Sequence, residues 1–308
     1  MNLDGILPPI ATTFLDEALD LHGVRTNVQR WLQTEIRGLV VLGSNGEAAH
    51  VSDDEAVRLI AAVRADVPRD RLVIAGVGRS STRLTIAAAR AAAHEGVDAV
   101  LVLTPSAFKT QMTGDALARY YTAVADASPV PVLLYNFASA TGVSLPLATA
   151  VALSAHPNII AMKESGGDIG LIADLVTQTS SDFPIVVGSA PTLYASLCVG
   201  VTGAIVAVAN VVPDLCVRLH HLVRAGRHAE ALSLQRALTP LARAVTQTYG
   251  VAGLKAAMDL AGYVGGLPRA PLVAIPPAVT AELRGHLDRL REWTDREAAA
   301  AGRDRGAS

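Results

Sequence analysis

A chain of 308 residues, 51% of them hydrophobic, has ample material for a large core, and a net charge of −2 argues against nucleic acid or an anionic membrane as partner. Only 4% of residues are aromatic and alanine is abundant, which suits helices packed closely on a sheet. The N-terminus MNLDGILPPIATTF has acid and two prolines where a signal peptide needs base and an apolar run. No apolar stretch reaches the roughly 18 uncharged residues of a membrane span. Cys198 and Cys216 lie in apolar segments and read as buried free thiols. A cytoplasmic protein is expected.

Eight short runs rich in Val, Ile and Leu follow one another, at 5–14, 38–44, 71–78, 99–105, 131–136, 159–165, 184–190 and 203–210. They are continuous rather than alternating, as parallel strands covered on both faces require. Helix signals fill the gaps. Residues 52–67 open on Ser52 with acids in the first turn, and 80–96 open on serines and close on Gly96. Strand starts are roughly 20 to 33 residues apart, the length of one βα unit. Eight such units predict an α/β fold, a (β/α)8 TIM barrel, over an open sheet. No Gly-rich dinucleotide fingerprint follows the first strand and no P-loop occurs. Beyond 210 the pattern becomes helical, over 211–260 and 277–299, joined by the Gly/Pro-rich 262–272. The expected layout is a barrel core over 1–210, with the last barrel helix and a C-terminal helical extension over 211–308, as one structural unit. The tail 298–308 is expected to fray.

Active sites in this fold lie at the C-terminal ends of the strands. Strand two ends in Gly43-Ser44-Asn45-Gly46-Glu47, strand four in Thr104-Pro105, strand five in Tyr135-Asn136, strand six in Lys163-Glu164-Ser165, strand seven in Gly188-Ser189 and strand eight in Asn210. Lys163 and Tyr135 close neighbouring strands, about 4.8 Å apart, so two long side chains can meet there. Burial disfavours an ammonium, and a neutral amine attacks ketones to form a Schiff base. A tyrosine within reach can shuttle the proton this chemistry needs. The Ser44 hydroxyl, the Asn45 amide and the backbone N–H groups of the GSNGE loop form a small anion site. A carboxylate held there beside a lysine-bound carbonyl describes a 2-oxo acid. Glu47 reads as a hydrogen-bonded prop for the loop and Lys255 as structural. The eight histidines, at 22, 50, 94, 156, 220, 221, 228 and 286, form no metal motif and read as solvated or helix-surface residues.

The set GSNGE (43–47), YN…TG (135–142) and MKESGGD (162–168) resembles the dihydrodipicolinate synthase/N-acetylneuraminate lyase family of Schiff-base aldolases, over residues 3 to 290. Within that family the likeness leans to the 4-hydroxy-2-oxoglutarate aldolases, on Ser44-Asn45, MKESGGD, YGVAGLKAAMDLAGYVGG (249–266) and RAPL (269–272). The resemblance implies a homotetramer built as a dimer of dimers, with no metal or organic cofactor. It implies that Lys163 forms the imine and Tyr135 relays protons. Ser44 and Asn45 hold the carboxylate, Ser44 also aiding the relay, and Ser165 and Gly188 shape the pocket for the distal part of the substrate. Two positions depart from the pattern. Ala107, with Phe108 beside it, stands where the family has a tyrosine that reaches into a neighbouring subunit. Ala140 stands where dihydrodipicolinate synthases have an arginine for the second substrate's carboxylate, which argues against that activity unless Arg79, Arg83 or Lys109 reaches the site. The expected activity is cleavage or formation of a 4-hydroxy-2-oxo acid, with pyruvate or glyoxylate as product or donor. The alternatives are a dihydrodipicolinate synthase, a sialic acid lyase, a 2-oxo acid dehydratase, or a non-catalytic 2-oxo acid-binding homologue.

Overall fold

A computed structural model describes residues 1–306. Its strands are β1 (Gly5–Ile6), β2 (Gly38–Val41), β3 (Leu72–Gly76), β4 (Ala99–Leu103), β5 (Val132–Asn136), β6 (Ile159–Glu164), β7 (Ile185–Val187) and β8 (Gly203–Ala204). All pair in parallel in chain order, and β8 returns to β1. The seam between β1 and β2 closes just beyond β1. There the Val40 N–H donates to the Pro8 carbonyl and the Ile10 N–H to the Val40 carbonyl, each at 2.9 Å. The expected barrel is therefore present.

Each strand is followed by a helix: α1 (Leu21–Trp31), α2 (Asp53–Asp66), α3 (Thr82–His94), α4 (Gly114–Ala127), α5 (Leu147–Leu153), α6 (Ile169–Gln178), α7 (Leu193–Cys198) and α8 (Pro213–Arg224). Period-2 alternation sorts strand side chains between two cores. Val40, Ile74, Leu101, Leu133, Ala161 and Val186 fill the barrel. Leu39, Val73, Val100, Leu134, Met162 and Val187 face the helices. The helix signals act as read from the sequence. The Ser52 hydroxyl caps α2 and Glu55 returns the bond to the Ser52 N–H, while Ser81 caps α3. Three more helices follow, α9 (His228–Arg243), α10 (Gly250–Leu260) and α11 (Pro277–Gly306), with α11 packed on α9 and α10. The segment expected to fray continues α11 as far as Gly306, and residues 307–308 lie outside the described residues.

Several expectations need correction. The first run forms only two residues of strand, because Pro8 and Pro9 offer no N–H to a ladder. Its end turns instead into a small antiparallel hairpin, Phe14–Leu15 with Ala18–Leu19, through Asp16 and Glu17 at positive φ. The eighth run stops at Ala204, and Ala207–Asn210 is a 3-10 turn. Asn210 is buried there as a clamp: its amide donates to the carbonyls of Pro9 and Ala207 and accepts from the Ala11 N–H. Cys216 is buried, and desolvation pushes its thiol up to about 12, but Cys198, the last residue of the short α7, is exposed. His220 is not on the surface. It is buried, with its Nε2 2.9 Å from Asp4 Oδ1, and burial lowers its pKa.

Candidate active site

The parity of β6 decides which way its reactive residue points. Ala161 and Lys163 face the barrel interior, whereas Met162 and Glu164 face the helices. Lys163 pairs in register with Tyr135 on β5. Lys163 Nζ lies 4.1 Å from the centroid of the Tyr135 ring, and the two residues are 3% and 4% exposed. It is thus the ring face of Tyr135 that meets the nitrogen. Phe137 stacks near the same ring at 6.0 Å.

Ser165 and Gly188 join this pair. A Cβ at Gly188 would fall 2.9 Å from Lys163 Cε and 1.9 Å from Ser165 Oγ, so only glycine leaves room for both side chains. Ser165 Oγ is buried and has no hydrogen-bond partner among the described residues. Behind the strands, Glu164 accepts from Asn136 Nδ2 at 2.6 Å and from the Gly166 N–H at 2.5 Å, and Asn136 Oδ1 accepts from the Leu145 N–H. Burial raises the pKa of Glu164, and these bonds oppose that rise. This clamp fixes the ends of β5 and β6. The sequence signal for this clamp is an acid next to the lysine, level with Asn136 across the strand pair.

In front of Tyr135 opens a cavity of about 480 Å3 over the ends of β2 to β5. Ser44, His50, Arg79, Ser106 and Tyr135 line it together with Leu272 from the C-terminal segment. Gly76 and Gly78 also line it. A Cβ at either would collide with backbone, at 2.0 Å from the Leu42 carbonyl oxygen and 2.8 Å from the Leu103 nitrogen respectively. Close backbone packing therefore accounts for both glycines.

The GSNGE loop enters from Leu42, which is held at φ +58, a strained value for a bulky residue. The N–H groups of Gly46 and Glu47 are committed to the carbonyls of Gly43 and Ser44. A 3-10 turn leaves its first N–H groups free, so Ser44 and Asn45 are the residues able to offer theirs. Ser44 lines the cavity; Asn45 is half-buried and is not part of its wall. Glu47 is a prop, as expected. Its carboxylate meets Lys255 Nζ at 2.5 Å and accepts from the Arg269 N–H at 2.9 Å. Lys255 is fully buried and also donates to the Leu267 carbonyl, and Arg269 forks onto Glu55 at 2.7 and 2.8 Å. The resemblance-bearing RAPL segment therefore braces the loop from the far end of the chain.

Of the three cations that could replace an arginine at position 140, Arg79 lines the cavity. Arg83 and Lys109 are exposed, and so are Ala140 and Phe108, the latter at 75%. The chain has three lysines, Lys109, Lys163 and Lys255, against twenty-three arginines. Among the described residues no group of three or more His, Cys, Asp and Glu is arranged to hold a metal. Among the described residues no helix is long and apolar enough to cross a membrane.

A closed parallel barrel with a buried lysine and tyrosine beside an open cavity at the C-terminal ends of its strands defines a class of barrel enzymes. The chain belongs to the dihydrodipicolinate synthetase family, whose model matches residues 2–289. It is 37% identical over 273 residues to a probable mitochondrial 4-hydroxy-2-oxoglutarate aldolase of Emericella nidulans, covering 87% of this chain and 88% of that one. It is 33% identical over 285 residues to the 4-hydroxy-tetrahydrodipicolinate synthase of Methanoculleus marisnigri, covering 91% and 97%. Among solved structures it is similar to YagE, a prophage protein of the dihydrodipicolinic acid synthase family from E. coli K12, in complex with pyruvate. The TM-score there is 0.87 at 27% identity, covering 94% of this chain and 99% of that one. The protein is an enzyme, a lyase of this aldolase family.

Proposed function

We propose that the protein is a Schiff-base aldolase that cleaves or forms a 4-hydroxy-2-oxo acid, in the manner of a 4-hydroxy-2-oxoglutarate aldolase. The observation that carries this reading is the Lys163 amine, buried at the barrel mouth against Tyr135. The amine adds to the C2 carbonyl and water leaves, forming the iminium. Tyr135, with Ser44 toward the cavity, takes the C4 hydroxyl proton. The C3–C4 bond then breaks, its electron pair passes into the enamine, and an aldehyde or oxo acid departs. Protonation at C3 and addition of water release pyruvate and restore the amine. Ser44 and Asn45 hold the C1 carboxylate. Ser165, whose hydroxyl is unpartnered, and Gly188 shape the substrate pocket beside the lysine.

Relatives named as synthases and as aldolases lie at similar identity, so overall likeness does not choose between them. Ala140 supports the aldolase reading, since a methyl group cannot replace an arginine–carboxylate fork and the guanidinium on the cavity wall, Arg79, stands after β3 rather than after β5. The test is borohydride reduction with pyruvate, followed by peptide mass spectrometry. An adduct on Lys163, absent in Lys163→Ala, is expected. With only three lysines the map is unambiguous, and no adduct on Lys163 would refute the imine. A homotetramer, a dimer of dimers, is the assembly we propose, supported by the family likeness and by exposed Phe108, an apolar side chain that a neighbour would cover. Sedimentation analysis tests it, a monomer being the contrary result. Free Cys198 and Cys216 support a reducing compartment such as the cytoplasm.

A further inference from the structure

We infer that Glu164 and Asn136 are positioning residues for the lysine chemistry: the hydrogen-bond chain joining them on the outer face of the barrel locks the register that stands Lys163 over Tyr135 on the inner face. This rests on the reading of Lys163 as the residue that forms the imine.

Glu164 and Asn136 pair one step beyond Lys163 and Tyr135. Backbone pairing alone leaves that register open. The ladder between β5 and β6 is irregular at its lower end, where Val132 and Leu133 face Ile159 and Ala161 and Ile160 is passed over. A slip of one residue turns every side chain of a strand to the other face. Here it would swing Lys163 out toward the helices and bring Glu164 into the barrel.

The chain closes in one direction. The Leu145 N–H can only donate, so Asn136 Oδ1 accepts from it and Asn136 Nδ2 is left to donate to Glu164 Oε2 at 2.6 Å. The Gly166 N–H donates to Glu164 Oε1 at 2.5 Å. Both oxygens face donors, which an ionised carboxylate alone satisfies. Yet Glu164 is 1% exposed and these partners are uncharged, while Asp168, at the start of α6, is a further negative charge. Stability does not call for such a group. One level lower the same outer face carries Leu134 and Met162, an apolar pair in register, and apolar pairs can replace buried polar ones at little cost. What an apolar pair lacks is direction, and this chain has it. The backbone at the same level carries the substrate pocket: the Ser165 N–H donates to the Asn136 carbonyl and the Gly188 N–H to the Glu164 carbonyl.

The test compares full-length wild type, Glu164→Gln, Asn136→Asp and the double variant. Each single change sets donor against donor or carboxylate against carboxylate. The double change restores the chain with its middle bond reversed: the new amide on β6 accepts from the Gly166 N–H and donates to the new carboxylate on β5, which accepts from the Leu145 N–H. Borohydride trapping of pyruvate on Lys163 is measured per folded protein. The single variants should lower the maximal trapping rate by about 10- to 100-fold, the scale of a misplaced reacting group, with little change in half-saturating pyruvate. The double variant should recover most of the rate. Full trapping in the single variants, with only the melting temperature lowered, overturns the proposal, and so does a double variant that does not recover. If neither single variant folds, the double variant decides: trapping close to wild type supports the proposal and trapping well below it overturns it. Acetic anhydride labelling of Lys163 against exposed Lys109 is read alongside, since it needs no imine. Labelling should rise in the single variants as Lys163 leaves its seat over Tyr135, and fall back in the double. That pattern without a pyruvate adduct would refute the imine alone, and an adduct without that pattern would refute the positioning alone.

Discussion

Two lysines are buried in this protein, and their surroundings differ. Each lies over an aromatic ring, Lys255 over Phe14 and Lys163 over Tyr135, but Lys255 also has Glu47 and a carbonyl as partners. A fully paired lysine is structural, while one packed on the face of a ring that itself lines the cavity is not tied to a carboxylate. Lys163→Ala should therefore abolish turnover while leaving the circular dichroism spectrum intact, because the strand's hydrogen bonds are made by backbone. Tyr135→Phe keeps the ring over the nitrogen and removes only the hydroxyl. It should lower kcat by about 10²- to 10⁴-fold with little change in KM for pyruvate, if the hydroxyl relays protons. Steady-state kinetics decides, and unchanged kcat would remove Tyr135 from the relay. Gly188→Ala forces a methyl into Ser165 and Lys163, so borohydride trapping should slow markedly.

At the scale of elements, the loop after β2 and the segment between α10 and α11 form one device, joined by Glu47, Lys255 and Arg269. Removing one member of a buried ion pair strands the other charge, at about 3–5 kcal/mol. Lys255→Met and Glu47→Gln should each lose stability on that scale in urea denaturation, and the double variant should lose less than the sum. Strict additivity would show that the pair is not coupled. The strands were legible because parallel strands buried on both faces are written as unbroken apolar runs, and Lys163 was legible as a charge closing one of them. The hairpin at 14–19 was not, since its turn uses Asp16 and Glu17 rather than the Asn-Gly that marks such turns. The Glu164–Asn136 clamp and the Lys255–Glu47 pair escaped because the first depends on strand register and the second joins residues from opposite ends of the chain. Asn45 was read from a motif that places it beside the cavity rather than on its wall.

For the molecule as a whole, acid is the informative perturbant. Arg269 holds the Glu55 carboxyl at about 2, below its ordinary 4.5. A depressed folded pKa contributes stability above pH 4.5 that is lost as pH falls from there through about 2. Wild-type melting temperature should fall steeply across that window, and Glu55→Gln should flatten the fall. An identical pH profile in the variant would mean that other carboxylates govern it. One arrangement also bears on how the enzyme comes into being. The cavity is walled by Val251 and Leu272, and the loop that carries Ser44 is braced from Arg269. The reactive amine thus leaves the ribosome about a hundred residues before the wall that encloses its substrate. A nascent or prematurely terminated chain carries the nucleophile without the chamber, so competence arrives only when synthesis is nearly finished.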